Sequence, residues 1–193
     1  MELLSVSITL FLIMDPFGNI PIFLSVLQRV PKERQRKVLI RELLLALVVI
    51  IGFIFAGKHV MAILGLQQES VSIAGGIILF LIALRMVFPK RDEDVPDVDG
   101  EPFLVPLAVP LVSGPSMLAA LLLFSSSGSI DLIQLLAAAL IAWGASFAVL
   151  VMSTYVAKFL GKRGLVAVER LMGMILVALA VQMFLDGLSS VVG

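Results

Sequence analysis

The stretch Met14-Asp15-Pro16-Phe17-Gly18-Asn19-Ile20-Pro21 cuts an apolar segment that would otherwise run unbroken from about residue 3 to 28. Pro110-Leu111-Val112-Ser113-Gly114-Pro115 does the same in the other half of the chain, its first proline 94 residues after Pro16 and in the same Pro-x4-Pro frame. In hydrocarbon an unpaired backbone N–H or C=O costs several kcal/mol, so a broken helix persists only where it is buried or lines a wet cavity. Apolar segments interrupted by Gly and Pro at corresponding positions of two halves point to the substrate site of a secondary transporter.

The composition supports a membrane setting. Of 193 residues, 60% are hydrophobic and 15% charged, with a mean hydropathy of +1.12; a soluble domain carries about 25% charged residues. The predicted class is an all-α integral membrane protein. At about 20 residues per span, five to seven helices fit. There are no cysteines, which excludes disulfides and thiolate metal sites, and the single His59 excludes a histidine cluster. The opening Met1-Glu2-Leu3 lacks a basic region, so the first segment reads as a retained span rather than a signal peptide.

Six apolar segments emerge, at about 3–28, 40–63, 70–88, 103–124, 131–157 and 171–188. Six spans put the connections 29–42, 89–101 and 158–170 on one face, which then holds 13 of the 14 Lys and Arg residues, Arg85 included; Lys58 alone lies on the other. By the positive-inside rule the basic face is cytoplasmic and both termini lie outside, the acidic run of 92–101 counting for little.

The chain also repeats itself. Residues 76–86, GIILFLIALRM, match 173–183, GMILVALAVQM, at Gly76/Gly173, Ile78/Ile175, Leu79/Leu176, Ala83/Ala180 and Met86/Met183. With the two breaks this predicts two three-helix repeats, 1–97 and 98–193, each with a discontinuous first helix, although the second and fifth spans align poorly. Three spans is an odd number, so the second repeat is inverted with respect to the first.

Proline at a first helical position loses nothing, since its missing N–H would be unpaired anyway. Pro21 and Pro115 therefore read as starts of second half-helices, with Asn19 and Ser113 as capping residues; Asp15-Pro16 is an alternative start. Residues 3–14 rise about 18 Å, placing Asp15 near the middle of a roughly 30 Å core, and Ser113 to Ser116 reach comparable depth from the other side. Two half-helix N-termini offer N–H groups and partial positive charge, while Asp15 and helix C-terminal carbonyls offer the opposite sign. That pairing suits a small zwitterion. The candidate substrate-binding residues are Asp15, Pro16, Phe17, Gly18, Asn19, Pro21, Pro110, Ser113, Gly114, Pro115 and Ser116.

An Asp at membrane depth is a functional candidate by default. Its bland reading is an Asx cap that holds the break together, and the two roles can coexist. Asp15 is also a candidate for coupling transport to protons. Arg41-Glu42 and Glu169-Arg170 stand at cytoplasmic ends of the second and sixth spans, as possible gates or as plain helix-end charges. His59, Gln182 and Asp186 read as interfacial residues, and Arg85 as snorkelling to the surface. Trp143 lies among Ala137, Ala138, Ala139, Ala142, Gly144, Ala145 and Ser146, a small-residue face suited to close helix packing.

At this point the residues become familiar. Met14 to Phe23, Glu101 to Pro115, Glu169-Arg170-Leu171-Met172-Gly173 and Gln182-Met183-Phe184-Leu185-Asp186-Gly187 closely resemble the MarC family of bacterial inner-membrane proteins, over essentially the whole chain. The resemblance implies six helices in a bacterial inner membrane, with both termini then periplasmic. Relatives of the SnatA type are described as transporters of small neutral amino acids such as glycine and alanine.

The leading expectation is a secondary transporter of small neutral amino acids, partnered by the lipid bilayer and not by nucleic acid. No organic cofactor is expected; H+ or Na+ could serve as coupling ion. Alternatives are an exporter of other small solutes or drugs, a structural partner without substrate, and an intramembrane enzyme using Ser113 or Ser116 as nucleophile. The last lacks a histidine near either serine, and no phosphate-binding loop or dinucleotide fingerprint is present.

Overall fold

The computed structural model describes residues 2–27, 30–88, 112–126 and 130–192. These are helical almost throughout: α1 (Glu2–Met14), α2 (Pro16–Leu27), α3 (Lys32–Leu64), α4 (Gln68–Val87), α5 (Pro115–Ser126), α6 (Leu132–Val151) and α7 (Ser153–Val192). Five apolar spans are long enough to cross a membrane by length and composition: Glu2–Leu27 with its break, Lys32–Ile63, Gln68–Val87, Leu132–Val151 and Arg163–Val191. A sixth apolar helix, Ser116–Ser125, is shorter. Pro110, the acidic connection and the first part of the expected 103–124 span lie outside the described residues.

Several boundaries differ from expectation. The helix that carries the expected 40–63 span begins earlier, at Lys32, because its basic first turns are good helix formers and continue the apolar run without a breaker. At 33 residues α3 is about 50 Å long. Helix α6 ends at Val151, inside the expected 131–157 segment, where Met152 forms a turn. The last helix reaches well before residue 171 and is interrupted by Gly161, whose φ of 65° and ψ of 175° are foreign to a helix; such a conformation is accessible to glycine at little cost.

Apolar side chains cover the outside as well as the core. Ile63, Ile133 and Phe159 are more than three-quarters exposed, as expected of helices that face lipid. Inside, one cluster gathers Leu10, Met14, Leu79, Met117, Leu135 and Leu176, and another gathers Ile20, Phe23, Leu39, Leu43, Val112 and Leu150. The helices pack α4 on α7, α1 on α6, α5 on α4 and α3, α2 on α7, and α3 on α6.

The α4–α7 seam is antiparallel and close. A methyl group on Gly76 would meet the carbonyl oxygen of Ala180 at 2.8 Å and the backbone of Phe184 at 3.0 Å; one on Gly173 would meet the carbonyl oxygen of Ala83 at 3.1 Å and Val87 at 2.9 Å. Adding 97 to the glycine's number and subtracting 97 from its partner's turns the first contact, Gly76–Ala180, into the second, Gly173–Ala83. Burial follows the same shift: Gly75, Gly76, Leu79, Ala83 and Met86 are buried in α4, and Met172, Gly173, Leu176, Ala180 and Met183 in α7. Helices α3 and α6 show a comparable register at a shift of 96: Leu39, Glu42, Leu43, Ala46, Ile50 and Ile54 against Leu135, Ala138, Ala139, Ala142, Ser146 and Leu150.

Candidate functional site

The first break is one residue wide. Asp15 alone leaves the helical conformation, with φ at +42°, a left-handed value that Asp and Asn tolerate better than most side chains. Its N–H still bonds back to Phe11 and Leu12, and its carbonyl accepts the N–H of Asn19 at 3.1 Å, the first bond of α2. Asp15 is therefore the N-cap of α2 and Pro16 its first helical residue. Pro21 lies inside α2, so the expected helix start there is corrected in favour of Pro16. Having no N–H, Pro21 leaves the carbonyl of Phe17 without its helical donor.

The break is sealed by its own polar groups. The Asp15 carboxylate is 4% exposed, and Oδ1 accepts the Gly18 N–H at 3.1 Å. Asn19 does not cap α2. Its Nδ2 donates to the Met14 carbonyl at 2.9 Å, satisfying a C-terminal acceptor of α1 that the break would otherwise orphan. Phe11 and Phe17 meet edge to face across the break, centroids 6.2 Å apart. Ser146 on α6 donates to the Met14 sulfur at 3.4 Å. A side chain on Gly18 would run into the Asp15 carboxylate and the Met86 methyl group, so Met86 of α4 closes over this corner.

At the second break the Gly114 carbonyl accepts the Leu118 N–H at 3.0 Å. Gly114 holds the N-cap position and Pro115 the first helical one, with Ser113 one residue earlier. Ser113, Gly114 and Ser116 are all buried. The two helix starts are thus Asp15-Pro16 and Gly114-Pro115, 99 residues apart. They differ in sign: α2 already has a carboxylate on its first turn, whereas the cap residue of α5 has no side chain. Met14 and Met117 share one core cluster, and Ile20 and Val112 share the other, so both clusters reach both breaks.

The expected gate residues separate. Glu169 is half-buried and within electrostatic reach of Asp15 and of Arg170, which is exposed. Glu42 is not a helix-end charge. It is the eleventh residue of α3, 0% exposed, and its Oε1 accepts from Arg41 Nη2 at 2.9 Å and Nε at 3.1 Å. Its burial, and the bond from Trp143 Nε1 to the Leu43 carbonyl at 2.8 Å, were not visible in the sequence. An apolar groove of about 270 Å³ runs along α4 and α7, with Gly76, Phe80, Leu81, Ala180 and Phe184 among its walls and no charged side chain.

Comparison with known proteins gives a consistent picture. The family model described as "MarC family integral membrane protein" matches residues 1–192. The inner membrane protein YhgN of Escherichia coli (strain K12) is 49% identical over 189 residues, covering 97% of this chain and 96% of that one. A membrane protein of Buchnera aphidicola subsp. Baizongia pistaciae (strain Bp) is 47% identical over 98% of this chain and 97% of its own. One of Methanocaldococcus jannaschii is 30% identical over 93% and 92%. No solved structure matches the chain significantly.

Proposed function

The chain belongs to the MarC family of integral membrane proteins, and from that premise we propose that it is a secondary transporter of small neutral amino acids in the inner membrane. The observation that carries this reading is the one-residue break at Asp15, a buried carboxylate held at the junction of two half-helices. A carboxylate at such depth is costly, and carriers keep one where a substrate or ion uses it. The substrate's ammonium group sits near Asp15 and the Phe17 carbonyl, from which Pro21 removes the usual helical donor. Its carboxylate takes the first turn of α5, where Gly114 leaves the helix N-terminus without an anionic cap.

Two inverted three-helix repeats organise the site. The seam contacts of Gly76 and Gly173, the burial registers and the paired proline starts support this arrangement, as does the antiparallel course of α4 and α7. In this arrangement the basic connections face the cytoplasm and both termini the periplasm. Alternating access is a rocking of one repeat against the other around the breaks.

The test is uptake and counterflow of labelled glycine, alanine and serine in liposomes holding the purified protein. Saturable flux that Asp15→Asn and Asn19→Ala both weaken is the expected result. Flux indifferent to both moves the site away from the first break. No flux from protein shown to be folded overturns the reading.

A further inference from the structure

Met86 belongs to two places at once. Its stem lies in the α4–α7 seam, where a methyl group on Gly173 would meet Met86 Cβ at 2.9 Å. Its tip lies at the first break, where a methyl group on Gly18 would strike Met86 Cε and Asp15 Oδ2 together. The buried side chain therefore runs from the helix seam to the carboxylate. Cε and Oδ2 face one another across a small space that stays open only because Gly18 has no side chain.

The two oxygens of Asp15 are not equivalent. Oδ1 accepts the Gly18 N–H at 3.1 Å, and Oδ2 takes no hydrogen bond from the described residues. An ammonium group that binds here comes to Oδ2, beside the Met86 methyl group. In an α-amino acid the nitrogen and the side chain hang on one carbon, so a substrate held by its ammonium brings its side chain close to that methyl group. A hydrogen, methyl or hydroxymethyl group asks for little room there. A branched or longer chain has to displace Met86 or leave Oδ2. Met183, 97 residues on, provides the comparison. Its Cε lies 3.3 Å from where a methyl group on Gly75 would stand, on the side of Ala119 in α5, a helix without an ionisable side chain. Core packing accounts for Met183; at Met86 the same side chain closes on a carboxylate.

We propose that Met86 sets the size limit of the substrate: its thioether tip walls the space beside Asp15 Oδ2 and admits only amino acids with a side chain of one or two heavy atoms or none. The proposal rests on the carrier reading and names the residue that selects among its substrates. Methionine suits the role because it is unbranched and polarisable, and adapts its end to a small ligand, while its stem is held by the seam. A wall of this kind selects on size alone, and one methylene in such a pocket is worth about 10- to 200-fold in specificity.

The test compares kcat/KM for labelled glycine, alanine, valine and leucine in liposomes holding the purified protein. In the wild type alanine is expected to lead leucine by about tenfold or more. Met86→Ala is expected to cut that lead by about tenfold, because the vacated space takes the longer side chain, whereas Met86→Leu refills it and keeps the lead. Leu79→Ala is the control. It truncates a buried side chain two turns away on the same helix, about 10 Å along α4, and is expected to lower stability while the ratio stays as in the wild type. Should Met86→Ala fail to fold, Met86→Val is measured in its place. A ratio unchanged in the folded truncation, or moved as far by Leu79→Ala, overturns the proposal and leaves the carrier standing. So does a wild type that carries leucine as well as alanine. Absence of flux for every neutral amino acid in folded wild type sinks the carrier reading itself, and the proposal with it.

Discussion

Asn19 reaches back across Asp15 to donate from Nδ2 to the Met14 carbonyl at 2.9 Å, so the residue that follows the break closes the helix that precedes it. Removing the amide in Asn19→Ala leaves a buried carbonyl unpaired, at a cost of about 1–3 kcal/mol. Thermal unfolding in detergent is expected to show a clear loss of stability. Asn19→Leu, which keeps the bulk and offers no donor, is expected to be destabilised in the same direction.

Asp15 has three separable duties: a left-handed φ, a cap on Gly18 and a charge. Asp15→Asn keeps the first two, so it is expected to fold with near wild-type stability while amino-acid flux falls. Asp15→Gly accommodates φ but loses the side-chain cap. Asp15→Ala loses the cap, about 1 kcal/mol, and adds left-handed strain of about 1–2 kcal/mol. The expected order of melting temperatures is Asn above Gly above Ala. An Ala variant as stable as Asn would refute the capping role.

Gly18→Ala places a methyl group against the Asp15 carboxylate and the end of Met86. Overpacking of this kind costs about 1–3 kcal/mol, and here it also displaces the candidate substrate ligand. Flux is expected to drop more than stability does. Shortening the obstructing side chain in Gly18→Ala/Met86→Ala is expected to recover part of the stability. A double variant no better than the sum of the singles would mean that Met86 does not close this corner.

The two seam glycines are expected to behave alike. Gly76→Ala and Gly173→Ala each drive a methyl group into the backbone of the opposite helix, so both are expected to destabilise by amounts within about 1 kcal/mol of one another. Gly144→Ala is the contrast, because nothing lies within 4 Å of its added methyl group. There the gain in helix propensity, about 1 kcal/mol, is expected to show as a higher melting temperature.

Hydropathy and punctuation by Gly and Pro made the apolar segments and both breaks legible, since each is a local property of the chain. The choice among prolines was not. The Pro-x4-Pro frame pairs Pro16 with Pro110 and Pro21 with Pro115, whereas the helices start at Pro16 and Pro115. A proline is compatible with a first turn and, with one bond lost, with an interior; which role it takes depends on the residue before it leaving the helix, as Asp15 does. The poor match of the second and fifth spans had a similar origin. Leu, Ile, Val and Ala substitute freely on a buried stripe, so α3 and α6 keep a common register of burial with few letters in common. Glu42 read as a helix-end charge because it adjoins a basic loop. Its burial depends on tertiary packing, which no neighbouring letter reveals.

The seam between α4 and α7 has one more consequence. Gly76 receives Ala180, and Gly173 receives Ala83, so each helix carries a notch and, seven residues on, the backbone that fills its partner's notch. Such a contact is isologous, the kind formed between two copies of one subunit about a dyad. Each of the two helices therefore already holds both faces of the seam. A helix of this pattern could pack against an antiparallel copy of itself in the same register, without any change of sequence.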